Sequence, residues 1–364
     1  MYGTLGCGNG GIIMFKFLSG LFSRDVGIDL GSANTVVYVK GKGITLDEPS
    51  VLAVRKTGRK GQKEVIAFGA EAKRMVGKTP VGVETIRPLQ HGVIADFEMT
   101  EQMIGYYMAG ANQGRGRMVH PRVAICIPAC VTEVEKRAVV DATLGAGARE
   151  AFVVEEPLAA ALGTGLPIDE PRGNMIVDIG GGTSEVAVLS LGGVVISNSL
   201  RAAGDDIDSA IVAMMRQNYT LSIGETTAEE IKIAIGSVIP MDQELQMEVK
   251  GRDLLEGLPK VVQVTSQEVR SAIEPIIVRV EEMLRFALEQ TPPELVKDIV
   301  DQGLILTGGS SQLRGLNIRF SDAMNVPVHL AEQPLYSVAL GLGKMLENMN
   351  RMPQISVSID RVSM

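Results

Sequence analysis

The sequence predicts a two-lobed α/β protein that carries the same small motif once in each lobe. Three observations lead there. An apolar strand ending in Asp, followed by Gly and a small-residue turn, occurs at Asp29 and again at Asp178. Short apolar runs alternate with helix-like stretches along the chain. The 364 residues correspond to about two domains, and 45% hydrophobic with 21% charged residues suits a globular protein with a sizeable core.

Composition also excludes several classes. The balance of 43 acidic and 35 basic residues gives a net charge of −8. A nucleic acid is therefore not expected as the main partner, because neutralising phosphates needs a basic surface. The 3 cysteines make no disulfide framework, and the histidines at 91, 120 and 329 are too scattered for a metal site. No apolar run of about 18 residues exists, so no membrane-spanning helix is expected. The N-terminus lacks the pattern of a secretion signal. A soluble cytoplasmic protein is the expectation.

Residues 1–13 have no periodic pattern and read as a disordered leader. From Met14 to Phe22, apolar residues fall at 14, 15, 17, 18, 21 and 22, with Lys16 and Arg24 on the polar side. That is a short amphipathic helix. It either lies in a membrane interface or packs on its own domain. The membrane reading is preferred because little core precedes the first strand.

Val26-Gly27-Ile28-Asp29-Leu30 is an apolar strand, Gly31 to Thr35 a turn, and Val36 to Val39 the returning strand. Met175 to Ile179, Gly180-Gly181-Gly182-Thr183-Ser184 and Val186 to Leu189 repeat that grammar. Small residues let backbone N–H groups approach an anion closely. Two such turns facing one another can hold a chain of phosphates, and an Asp at each strand end can hold a divalent cation, usually through water. Read singly, each is also an ordinary hairpin turn.

Ala124 to Pro128 is a strand, and Thr132 with Glu135 has capping-box spacing for a helix to about Leu144. Cys126 and Cys130 read as buried thiols. Glu156 lies at a strand-to-helix junction, with Pro157 suited to the first turn and Gly163 a plausible stop. Its carboxylate either complements the helix dipole or orients a water against a terminal phosphate. Thr226 with Glu229, and Thr227 with Glu230, have capping-box spacing, and Glu229 and Lys232 share a helix face. They form a simple ion pair or grip a nucleoside. Ser266 to Gln290 is helical by period around Pro275. Gly303 to Thr307 is a strand, Gly308-Gly309-Ser310-Ser311 a turn that can pack against a flat nucleoside, and a helix can open at Gln312.

These motifs, in this order, resemble the actin-like ATPase superfamily and, within it, the MreB family of bacterial actin homologues. The resemblance runs from about Asp25 to about Leu346. Gly27 to Thr35, Ile86-Arg87-Pro88 with Gly92 to Phe97, Glu155 to Ala161, Asp178 to Thr183, and Thr291 to Leu295 carry it.

It implies an actin-like (ribonuclease H-like) duplicated fold with nucleotide in the interdomain cleft. Residues 24–45, 82–155 and 331–350 would form domain IA, 46–81 domain IB, 156–200 and 261–330 domain IIA, and 201–260 domain IIB, with 351–364 a C-terminal tail. The implied cofactors are ATP and Mg²⁺. Ser32, Ala33 and Asn34 from one side, and Gly180, Gly181, Gly182 and Thr183 from the other, would contact the phosphates. Asp29 and Asp178 would sit by the metal. Glu156, with Thr183, would orient the attacking water. Glu229, Glu230, Ile231 and Lys232 would hold the nucleoside, with Gly308, Gly309, Ser310 and Ser311 beneath it.

The resemblance further implies slow ATP hydrolysis coupled to homopolymer filaments. These would lie on the inner membrane through the helix at 14–23, with membrane proteins of the wall-elongation machinery as partners, and would maintain rod shape. Some positions depart from the family pattern. Ser32 stands where Thr is usual and Glu230 where Arg is usual. Ser310-Ser311-Gln312 replaces a more apolar stretch, and Leu89-Gln90-His91 also differs. Asn112 to Arg117 is polar and basic where relatives have an apolar membrane loop. A small-molecule kinase of the same fold would need a substrate pocket with a base, and no segment announces one. A chaperone-type ATPase would add a large peptide-binding domain beyond 364.

Overall fold

The computed structural model describes residues 25–56, 63–111, 120–348 and 360–363. The expected leader at 1–13, the amphipathic helix at 14–23, the basic stretch 112–117 and the middle of the loop between Arg55 and Lys63 lie outside the described residues.

Both expected hairpins form. Val26–Leu30 pairs antiparallel with Asn34–Val39, placing Asp29 opposite Val36. Asn174–Ile179 pairs antiparallel with Ser184–Ser190, placing Asp178 opposite Glu185. Each hairpin is the middle of a larger sheet, and the two sheets share one plan. In the first lobe the order runs Gly43–Pro49, Asn34–Val39, Val26–Leu30, Arg122–Ile127, Glu150–Glu155 and Asp360–Ser363. In the second it runs Gly193–Leu200, Ser184–Ser190, Asn174–Ile179, Leu304–Thr307 and Val328–Leu330. In both, a three-stranded antiparallel meander continues into two parallel strands. The repeated Asp-Gly unit is thus the visible part of a repeated sheet. The described end of the tail extends the first sheet, with Ser363 opposite Glu150.

Two small sheets stand on these platforms. Leu52–Lys56 pairs with Lys63–Phe68 and Val83–Ile86 beside helix Gly69–Met75. Gln246–Asp253 pairs with Leu221–Ser222 and Pro259–Thr265.

Each lobe has its own apolar core. Ile28, Val37, Met103, Tyr107 and Ile125 are fully buried in the first, and Val177, Val188, Ile211, Ile273 and Leu306 in the second. A third cluster joins the lobes, because Ala124 and Val154 of one sheet and Ile176 and Leu189 of the other pack on Leu158 and Leu342. Full burial of such a side chain is worth about 1.5–3 kcal/mol.

Helix Glu156–Thr164 crosses helix Ser337–Asn348 within this shared core. A Cβ on Gly163 would run into the Ser337 carbonyl, and one on Gly341 into the Ala159 carbonyl. Gly163 therefore does not end the helix as expected. Gly165 does, in the left-handed conformation at φ 80°.

Thr132 and Glu135 make the expected capping box, and Thr265 with Glu268 caps Ser266–Gln290, which runs through Pro275. Two details differ. Helix Glu225–Ile235 begins at Gly224 without a side-chain cap, so Thr226 and Thr227 lie inside its first turn. Gly309–Gln312 is a short 3-10 turn, and the helix proper starts at Leu316. Of the two expected buried thiols, Cys126 is buried and Cys130 is exposed.

Candidate functional site

The two hairpin turns meet at the base of a cleft of about 580 Å³ between the lobes. They approach as closely as their small residues allow. A Cβ on Gly181 would stand 2.5 Å from Ala33 Cβ, and one on Gly182 2.6 Å from Ser32 Oγ. Ser32 Oγ accepts from the Gly92 N–H at 2.9 Å, which ties the first turn to the loop after Leu89–Gln90. The second turn is closed by the Gly180 N–H donating to the Thr183 carbonyl at 2.9 Å. The Asp205 N–H, at the start of helix Gly204–Tyr219, donates to the Gly181 carbonyl at 2.8 Å.

Ser32, Ala33, Asn34, Gly180, Gly181, Gly182 and Thr183 all line the cleft, with Asp29, Asp178 and Glu156. The acids form a like-charged group. Burial, then Asp178 and Asp47, push Asp29 up to about 8. Burial alone raises Asp178 to about 7. Among the described residues neither carboxylate has a cation or a hydrogen-bond donor on its side chain. This set of hard oxygen ligands, without a counter-charge of its own, fits a divalent cation such as Mg²⁺. Burial first, then Glu185, Asp29 and Asp178, hold the Glu156 carboxyl well above the usual carboxylate range.

The end of the cleft where a nucleoside is expected carries residues of the second lobe. Glu229 and Lys232 line the cleft, as do Gly308, Gly309 and Ser310. Lys232 does not pair with Glu229. Its Nζ donates to Asp208 Oδ2 at 2.9 Å and to the Gly204 carbonyl at 3.2 Å. Ser310 Oγ donates to the Gly180 carbonyl at 2.7 Å, fastening the third glycine turn to the second.

Three expected positions fall elsewhere. Ile231 is fully buried in the second lobe's core with Ala228 and Ile235, Glu230 is exposed, and neither lines the cleft. A step of about 100° per residue turns them away from the face shared by Glu229 and Lys232. Ser311 is buried and donates to the Gly308 carbonyl at 2.6 Å, so it shapes the turn from behind.

Sequence reasoning passed over Glu185, 1% exposed, opposite Asp178 on the hairpin. Its Oε1 accepts from the Ala129 N–H at 2.9 Å and from Ser199 Oγ at 3.0 Å, while Oε2 is buried without a partner among the described residues. The available signal was a Glu leading an otherwise apolar strand. Lys73, Arg87 and Asp205, which also line the cleft, were passed over too. Burial disfavours the Arg87 charge, but Asp205, Glu225 and Glu229 hold its pKa above the ordinary value.

Comparison with known proteins agrees with this geometry. The chain is 48% identical over 334 residues to the cell shape-determining protein MreB of Escherichia coli (strain K12), covering 92% of this chain and 96% of that one. It is 45% identical over 338 residues to the cell shape-determining protein Mbl of Bacillus subtilis (strain 168), covering 93% and 100%. The crystal structure of MreB 5 of Spiroplasma citri bound to AMPPNP superposes with a TM-score of 0.84 at 32% identity, over 92% of this chain and 99% of that one. A MamK double helical filament shares the fold, with a TM-score of 0.75 at 22% identity, over 89% and 99%. The family description MreB/Mbl protein matches residues 23–354. With two matching sheets, a glycine-turned cleft and this likeness over nearly its whole length, the chain has the actin-like fold and belongs to the MreB/Mbl family.

Proposed function

We propose that this protein is an ATP-dependent bacterial actin that polymerises into membrane-associated filaments and maintains rod shape by organising wall synthesis. The observation that carries the reading is the facing pair of glycine turns, with Asp29 and Asp178 at their strand ends. Backbone N–H groups of Ser32 to Asn34 and of Gly180 to Thr183 suit a triphosphate from two sides. Asp29 and Asp178 would hold Mg²⁺, which supplies charge neutralisation at the phosphates. Glu156, raised by burial first and then by its acidic neighbours, is suited to accept a proton from a water and orient it, with Thr183 also lining the cleft. Glu229 and Lys232 would grip the nucleoside above Gly308 to Ser310.

Filament formation is supported by kinship with cell shape-determining proteins and by the fold shared with the MamK double helical filament. The position at the inner membrane face rests on the amphipathic pattern of Met14 to Phe22, since no described helix is long and apolar enough to cross a membrane. Many weak helices along one polymer bind by avidity. Wall-elongation proteins are the partners this role requires.

The test is pelleting of the purified chain with anionic liposomes, with and without ATP and Mg²⁺, followed by electron microscopy. Filaments on lipid that depend on nucleotide are expected. Tight ATP binding without polymer under any salt or lipid condition would overturn the reading in favour of a kinase or a monomeric switch.

A further inference from the structure

Two cations of the first lobe reach across the cleft to carboxylates of the second. Lys73, on helix Gly69–Met75, places Nζ 2.7 Å from Glu229 Oε2 and 3.0 Å from Oε1. Arg87, just after strand Val83–Ile86, donates from Nη1 to Asp205 Oδ1 at 2.9 Å, with Glu225 Oε2 3.9 Å from Nη2. All five side chains line the cleft. In both bridges the cation comes from the first lobe and the carboxylates from the second.

Glu229 is where this arrangement bears on the ligand. Its neighbour on the same helix face, Lys232, is occupied by Asp208 of its own lobe. The Glu229 carboxylate is instead fixed from the opposite lobe. We propose that Lys73 is a positioning residue for nucleoside binding: it holds Glu229 across the cleft, so that gripping the nucleoside and closing the lobes become one event. The proposal rests on the nucleotide reading above and adds a residue and a coupling to it.

The physics sets the scale. Lys73 and Glu229 are each about one-third exposed, with side-chain accessibilities of 34% and 31%. A pair this wet is worth at most about fivefold in an equilibrium. Its effect on the ligand is larger than its effect on the fold, because Lys73 does not hold either lobe together internally. The Arg87–Asp205 pair is a second anchor, so loss of Lys73 loosens the lips without parting them. Phosphate contacts belong to the two glycine turns, at the base of the cleft.

The experiment compares ATP with 2′,3′-dideoxy-ATP, which keeps the base and phosphates but lacks the ribose hydroxyls. Affinities and ATP release rates are measured for the whole chain, Lys73→Met and Lys73→Arg. In Lys73→Met, ATP release is expected to rise about fivefold and the preference for ATP over the dideoxy analogue to fall about threefold or more. Lys73→Arg keeps both within about twofold, because the charge and reach are retained. Unchanged ATP release in Lys73→Met overturns the proposal. So does an equal loss for ATP and the analogue, which is the result of merely loosened packing. A wild-type chain that binds no ATP at all refutes the nucleotide reading itself, and is recognised before any variant is made.

Discussion

Gly308→Ala tests the site through one methyl group. Gly308 has φ 86° and ψ 162°, a region that essentially only glycine occupies, and forcing another residue there costs about 1–3 kcal/mol. An added Cβ also points into Asp178 Oδ1 and the Ile179 carbonyl, well inside van der Waals contact. Ile179 is the last residue of a central strand and cannot retreat, so Asp178 must move. The expected outcome is a loss of about 3 kcal/mol in stability and at least about a tenfold loss in Mg²⁺-dependent ATP affinity, since about 1.4 kcal/mol at the cation site suffices for that. Gly309→Ala is the control for stability alone, since Gly309 also lines the cleft. Its Cβ meets only Leu335 Cδ2, at 3.1 Å, the free end of a flexible side chain, and should cost under about 0.5 kcal/mol. Thermal melts and calorimetric titration with ATP, with and without Mg²⁺, separate the two effects. Identical melting of the two variants, with Gly308→Ala binding ATP as the unaltered chain does, would refute the reasoning.

Four further outcomes follow from the same structure. Glu156→Gln should slow phosphate release about a hundredfold while ATP still binds; unchanged turnover removes Glu156 from that role. Folded Asp29 and Asp178 sit at about 8 and about 7, far above the value of about 4 for an unfolded carboxyl. The folded chain keeps protons that the unfolded chain has lost, so its stability falls as pH rises from about 4 to about 8. Melting curves of the ligand-free protein against Asp29→Asn across that window check this, and parallel pH dependences would count against it. Arg319 bridges Glu274 at 2.6 Å and Glu281 at 2.5 Å, so Arg319→Ala should lower stability by about 2 kcal/mol in urea unfolding and leave ATP affinity unchanged; no shift in the midpoint would discount the bridge. Removing residues 1–22 should abolish liposome co-sedimentation and spare ATP binding, and full retention on lipid would move the contact elsewhere.

The two hairpin turns that line the cleft were legible because their determinants are local. Asp29, Gly31 to Asn34, Asp178 and Gly180 to Thr183 each specify a strand end and a turn within a few residues. The parts that were misread depend on distant partners. Gly163 looks like a helix stop in isolation, yet its missing side chain answers to Ser337. Glu229 has capping-box spacing, yet its carboxylate is taken by Lys73 from the other lobe. Ile231 and Glu230 lie beside two cleft residues in sequence, but helical rotation turns them away. Cys130 shares an apolar neighbourhood with Cys126, yet it follows the strand at φ 62° and is exposed. Glu185 was hidden because a strand's alternation identifies faces, not what a polar residue on a buried face must meet.

The crossing of helices Glu156–Thr164 and Ser337–Asn348 also governs how the halves of the molecule can move. The chain passes from the first lobe to the second through one of these helices and comes back through the other. At Gly163 and Gly341 backbone lies directly on backbone, so at these two points no side chain stands in the way when one helix swivels on the other, and the polar tie such a swivel would stretch is Lys344 Nζ, which donates to the Leu162 and Gly163 carbonyls. Pulling the helices apart, by contrast, would wet the shared apolar cluster around Leu158, Ile176 and Leu342. The inexpensive motion is a pivot about this dry joint. Glu156, at the end of one of the two axles, would turn with it and carry the opening angle of the cleft directly to a carboxylate in its lining.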